Sequence, residues 1–123
     1  MANEIAARRY AAAVFQLASD ASAVGAIGKD LHTLSDAIYD DEATERFFLS
    51  PVIQRSEKER VLAAAFAGKA HDVALHTVLL LVRKRREALL AEIVRQYDAL
   101  EMQAVLVTAV SWGGGLASAM VER

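Results

Sequence analysis

Along almost the whole chain, apolar residues return at three- and four-residue steps, which is the spacing of one face of a helix and not the alternation of a strand. Ile5, Ala11, Val14, Phe15 and Ala18 mark one face of a first helix over Glu4 to Ala18, while Arg8, Arg9 and Gln16 take other faces. Tyr10, Ala13 and Leu17 form a second apolar stripe on the same segment. That is more apolar surface than a helix with one neighbour needs. Val24, Ile27, Leu31, Leu34 and Ile38 predict a one-sided second helix after a turn at Asp20 to Ser22. Asp40 and Asp41 are placed to cap a short third helix through Phe47 and Phe48, because their carboxylates accept from backbone N–H groups that the first turn leaves unpaired. Ser50 and Pro51 stop it, since the residue before a proline is pushed out of the α region.

Ser56 and Glu59 have the spacing of a capping box and predict the start of a fourth helix, which runs to about Ala67 and stops at Gly68. Asp72 is expected to cap a fifth, in which Val73, Ala74, Leu75 and the run Val78 to Val82 leave almost no polar face. Such a helix is expected to be buried on nearly every side. Arg83 to Arg86 interrupt it, and Leu89, Leu90, Ile93, Tyr97 and Leu100 then mark a sixth helix whose pattern ends near Gln103. From Ala104 the character changes: Val105 to Val110 is a β-favouring run of strand length, followed by Trp112 and the triplet Gly113 to Gly115 with no second strand to pair with. The expected fold class is therefore all-α, a six-helix bundle over residues 1–103, with a short irregular or strand-like tail over residues 104–123.

Composition agrees with this and narrows the function. The 123 residues are enough for one core and too few for two. Apolar residues make up 54% but aromatics only 7%, with alanine the dominant helix former. A net charge of −2 provides no global attraction to nucleic acid or to anionic lipid. There is no cysteine, hence no disulfide and no thiolate metal site, which suits a reducing compartment. The first residues lack the pattern of a signal peptide, and no apolar run is long enough to span a bilayer, so any membrane link is expected to go through a partner.

Candidate chemistry is sparse. His71 and His76 are five residues apart, which does not place two imidazoles on one helical face. His32 stands alone at a surface-type position and is expected to be solvated. The terminal glycines lack the lysine and the strand-to-helix context of a phosphate loop. No catalytic residue, cofactor or metal is assigned. The cluster Arg83 to Arg86 supports an alternative reading as a helical nucleic-acid-binding or regulatory domain, although cations at a helix C-terminus also complement its dipole.

Three stretches, taken together, resemble a known family. Arg9 to Ala18 (Arg-Tyr-Ala-Ala-Ala-Val-Phe-Gln-Leu-Ala) is similar to an opening helix in which Arg-Tyr-Ala or Arg-Pro-Tyr-Ala leads into an Ala-rich Leu/Phe run. Phe47 to Ile53, with its proline, followed by Lys58, is similar to a second motif of apolar residues, proline, apolar residue and later lysine. Leu80 to Ile93 resembles a third, Leu-Leu-x-x-x-Gly-Arg-Leu-x-x-Leu-x-x-Ile, with Arg85 where glycine is frequent and Glu87 where leucine is. The family is the δ subunit of bacterial and chloroplast F-type ATP synthase, with the oligomycin-sensitivity-conferring protein as mitochondrial counterpart.

The resemblance implies a non-catalytic subunit of the peripheral stalk, or stator, on the cytoplasmic face of the bacterial inner membrane, attached only through the complex. It implies that the N-terminal helix of an α subunit lies in a groove between helices one and five. By motif and helical face, the groove residues are Ala6, Tyr10, Ala13 and Leu17 on helix one, with Val73, Thr77 and Leu80 on helix five. The tail resembles the first strand of the family's C-terminal domain, the rest of which is absent. In the family that domain makes the main contact with the b-type stalk subunits, so the resemblance leaves that connection open.

Overall fold

The chain breaks where its turn residues fall. The structure, a computed structural model, describes the backbone of residues 2–122 and the side chains of residues 3–107. Over them run α1 (Ala2–Asp20), α2 (Val24–Tyr39), α3 (Glu42–Leu49), α4 (Arg55–Phe66), α5 (Asp72–Arg83), a 3-10 turn (Glu87–Leu89) and α6 (Leu90–Glu122). No strand occurs among the described residues. The all-α bundle of six helices is as the periodicity predicts.

α6 is the central post of the bundle. α1 and α2 pack along it, α5 lies against both of them, and α4 leans mainly on α5. The core is built from the predicted stripes: Leu31, Leu34 and Ile38 of α2, Phe48 of α3, Leu81 and Val82 of α5, and Leu90, Ile93 and Tyr97 of α6 are fully buried. On α1 the inward face is made of small residues, Ala7, Ala11 and Ala18 together with Val14. Close approach is also required where α2 meets α6. A Cβ on Gly28 would stand 2.9 Å from Cε1 of Tyr97 and 2.9 Å from a carboxylate oxygen of Glu101. The Tyr97 hydroxyl then donates to the carbonyl of Val24 at 2.6 Å, and its ring meets Phe15 edge-on with centroids 5.7 Å apart.

Several local expectations are corrected. The strand over Val105 to Val110 does not form, because α6 continues through it to Glu122. Extending an existing helix adds one hydrogen bond per residue ordered, no proline or glycine intervenes before Gly113, and a lone strand would have nothing to pair with. Valine's β preference reflects packing on a sheet, and no sheet is present among the described residues. The capping box at Ser56 and Glu59 is also absent: α4 starts two residues earlier, with Gln54 as N-cap and no side-chain cap. Glu59 is instead drawn to Arg83 on α5, 2.7 Å away. Asp72 does not cap α5; His71 does, its ring Nδ1 accepting from the N–H of Val73 at 3.2 Å. Asp41 caps α3 as expected, accepting from the N–H of Thr44 at 3.1 Å.

Two helix ends carry the same C-terminal device on residues that are not glycine. After α5, the N–H of Arg86 donates to Leu81 O at 2.8 Å and that of Arg85 to Val82 O at 3.1 Å, the paired bonds of a Schellman motif. Its left-handed position is Arg85, at φ 57°. After α1, Ala23 and Ser22 donate to Ala18 O and Ser19 O at 2.8 and 3.0 Å, with Ser22 at φ 54°. The family pattern in which glycine is frequent at the Arg85 position has its physical reason here, since only glycine takes positive φ without a Cβ penalty.

Lys58 ties the middle of the chain together. Its side chain is fully buried, and Nζ donates to Phe48 O at 2.8 Å, Ser50 O at 2.6 Å and Glu87 Oε2 at 2.6 Å. One ammonium thus satisfies the last carbonyls of α3, fixes the start of α4 and neutralises a carboxylate on the 3-10 turn. All three of its protons are used.

Candidate functional site

Small residues on the inward face of α1 leave its larger apolar side chains for the outside. Tyr10 is half-buried, Ala13 is exposed and Leu17 is 54% exposed, on the stripe that periodicity singles out as surplus. Opposite them, α5 is not buried on nearly every side as its composition suggests. Val73 is half-buried and Leu80 is 39% exposed, while Ala74, Leu75, Val78, Leu81 and Val82 supply the core contacts.

Between these two stripes runs a shallow apolar concavity of about 190 Å³. Tyr10, Ala13 and Leu17 form one wall, and Val73, Thr77 and Leu80 the other. Of the predicted groove residues, Ala6 is not among those lining it; it is half-buried and packs against the core. Val14 and His76 line it as well, and the sequence pattern does not single them out. Periodicity assigns Val14 wholly to the inner stripe, and His76 lies one residue before Thr77, so the face arithmetic that finds Val73, Thr77 and Leu80 passes beside it.

Thr77 is the polar group in the floor. It is 6% exposed, and its hydroxyl donates to the carbonyl of Val73 at 2.7 Å, so it presents its methyl group without an unpaired proton. At one end the guanidinium of Arg86 sits over the Tyr10 ring, 5.8 Å from its centroid. That contact keeps the phenol ring in place as a rim residue with an apolar face and a polar tip. What the arrangement offers is apolar contact for side chains on one face of a helix.

The other candidate chemistry is structural. His32 is not solitary: its Nε2 lies 2.6 Å from Oδ2 of Asp98, a half-exposed bridge from α2 to α6 that the sequence separation conceals. In the basic cluster, Arg83 pairs with Glu59, Arg85 approaches Glu87 at 4.0 Å and Arg86 covers Tyr10, so three of its cations are engaged within the fold. Among the described residues no group of three or more His, Cys, Asp or Glu is arranged to hold a metal, and no helix is long and apolar enough to cross a membrane.

Comparison with known proteins places these features in one lineage. The chain is 34% identical to the ATP synthase subunit delta of Gloeobacter violaceus over 128 aligned residues, covering 98% of this chain and 69% of that protein. It is 33% identical to the subunit delta of Leptospira biflexa, over 72% of this chain and 47% of the relative, and 33% identical to the chloroplastic subunit delta of Gracilaria tenuistipitata, over 76% and 51%. The chain thus spans about half the length of the latter two. The family model described as ATP synthase delta (OSCP) subunit matches residues 6–110, a span that includes most of α1, the Lys58 anchor, both groove walls and the Arg85 turn, and the chain therefore belongs to the ATP synthase delta (OSCP) subunit family.

Proposed function

We propose that this chain acts as a peripheral-stalk subunit of an F-type ATP synthase, and that its α1–α5 groove receives the N-terminal helix of an α subunit at the top of the catalytic head. The observation that carries the reading is the convergence of Tyr10, Ala13 and Leu17 with Val73, Thr77 and Leu80 on one open apolar groove, in a chain of this family. The role is mechanical. No residue performs chemistry; the bundle holds the head against rotation and does so by buried apolar contact. Anchors on a docked helix gain roughly 1.5–3 kcal/mol for each large side chain they bury, before association and ordering costs are subtracted.

In this reading residues 1–103 are the head-binding unit, and residues 104–123 correspond to the start of the family's C-terminal domain. Contact with the b-type stalk subunits is assigned to that domain and not to the groove. The chain sits peripherally, as part of that complex, on the cytoplasmic face of the bacterial inner membrane.

The test is calorimetric titration of the chain with a peptide copying the N-terminus of the α subunit from the same source. Tyr10→Ala combined with Ala13→Asp removes an anchor and introduces a charge that docking would bury unpaired. Binding of the unaltered chain should be lost in this variant and also in Ala13→Asp alone, whose thermal midpoint should stay close to the original because Ala13 is exposed. Undiminished affinity in the variant refutes the groove assignment.

A further inference from the structure

A second apolar cleft lies away from the α1–α5 groove. α4 is pinned at its N-terminal end, where Lys58 reaches Phe48 O, Ser50 O and Glu87 and where Arg55 donates to Arg83 O at 2.9 Å. Its remaining packing is mainly against α5. On the side facing α2 and α3 it borders an open cleft of about 400 Å³, roughly twice the volume of the groove. Phe47 of α3 and Phe66 of α4, both half-buried, line it with Thr44, Val61, Ala37 and Ala65. Two aromatic rings at the edge of a gap are an incomplete core: each leaves apolar surface in water that a third element would cover.

The rim fixes the chemistry of that element. Asp36, Asp40, Asp41, Glu42 and Glu45 succeed one another along the end of α2 and the first turn of α3 with no Lys or Arg between them. Glu57 stands one turn before Val61 on α4. Arg46 and Glu42 offset one another, as do Arg60 and Glu57, which leaves the charges of Asp36, Asp40, Asp41 and Glu45 against that of Lys69, beyond the end of α4. The field over the cleft is therefore negative. It disfavours anionic lipid, nucleic acid and acidic peptides, and it favours a cationic partner.

We infer that the cleft bounded by α2, α3 and α4 is a second docking site, and that its occupant is a cationic amphipathic helix of a partner protein, with apolar anchors at i, i+3 or i+4 and i+7 set between Phe47 and Phe66 and lysine or arginine residues flanking them. The α4 wall of the cleft runs from Val61 to Phe66, about 8 Å at 1.5 Å per residue, so it takes the apolar anchors of about two turns of a docked helix.

The test uses the whole chain and three synthetic peptides: a helix with leucines on one face and lysines on the rest, the same composition scrambled to destroy the periodicity, and the first peptide with every lysine replaced by glutamate. Binding is followed by fluorescence anisotropy at low and moderate salt, and the site by amide chemical-shift changes. The lysine helix should bind at least tenfold more tightly than either control, with shifts concentrated at Thr44, Phe47, Val61, Ala65 and Phe66. Ala43→Arg with Ala65→Arg, both exposed positions, should remove this binding with the thermal midpoint unchanged, whereas Ala13→Asp in the other groove should leave it intact. Equal binding of the scrambled or glutamate peptide overturns the inference. So do shifts confined to α1 and α5, and so does concentration-dependent self-association of the chain abolished by the same arginine pair, which would make the occupant a second copy.

Discussion

Lys58 provides the sharpest test of how this fold is held together. Replacing it with methionine keeps most of the stem's volume and removes the ammonium. Glu87, 7% exposed, is then left with Arg85 at 4.0 Å as its remaining cation, and the carbonyls of Phe48 and Ser50 lose a donor each. Breaking a buried ion pair from one side costs about 3–5 kcal/mol, and Arg85 is too exposed to compensate for much of it. A domain of this size loses roughly 4 °C of thermal midpoint per kcal/mol, so Lys58→Met should melt about 12–20 °C lower by far-UV circular dichroism. Glu87→Leu alone should also destabilise, because it leaves the ammonium buried with two carbonyls and no anion. The pair changed together should cost less than the sum of the singles by about 2 kcal/mol, the coupling expected for groups in direct contact. A Lys58→Met variant within about 1 kcal/mol of the original, or strictly additive singles, would refute the account of Lys58 as the anchor that joins α3, α4 and the 3-10 turn.

Single contacts have further consequences. Arg85→Gly should raise stability by about 1 kcal/mol, measured by urea titration, because it relieves a non-glycine residue at positive φ and gives up only a distant, partly exposed charge contact. Gly28→Ala should lower it by about 1–3 kcal/mol, since the new Cβ would press on the Tyr97 ring, held on its far side by core packing. Burial, with smaller contributions from the charges of Glu101 and Asp98, pushes the Tyr97 phenol up to about 12. The native state therefore holds that proton more tightly than the unfolded chain does. The corresponding stability is fully present below about pH 10 and is lost as pH rises towards 12, by about 2–3 kcal/mol in all. Tyr97→Phe should start lower by about 1 kcal/mol for the lost bond to Val24 and then show a flatter profile over that range.

How far the sequence discloses this molecule depends on whether a feature is local. Helix existence is local: the stripes of α2 and α6 repeat within one segment and place Leu31, Leu34, Ile93 and Tyr97 inward without knowledge of the partners. The caps of α4 and α5 are not, because which residue caps depends on where a distant anchor pins the turn. Lys58 must face Glu87, twenty-nine residues on, and this draws the start of α4 back to Arg55. His32 and Asp98 meet across sixty-six residues, and each taken alone is an ordinary surface residue. The strand expected at Val105 to Val110 fails for the converse reason. A propensity is only a preference for surroundings, and those surroundings lie outside the segment.

The groove itself shows how composition reaches function. Alanine reads first as a helix former, yet Ala7, Ala11 and Ala18 of α1 and Ala74 of α5 have no exposed surface at all. Small residues on the inward face of α1 let it approach the rest of the bundle closely. The larger apolar residues Tyr10 and Leu17 of α1 stay on its outer face, opposite Leu80 of α5. A helix with leucines inside and alanines outside would contain the same residues and form a closed core. The order in which they alternate is what turns the surplus outward, and that order is what the second stripe on α1 records before any coordinates are known. Exchanging the two sets, Ala11 with Leu17 for example, should therefore disturb packing and flatten the groove together, since the two are one feature seen from opposite sides of the helix.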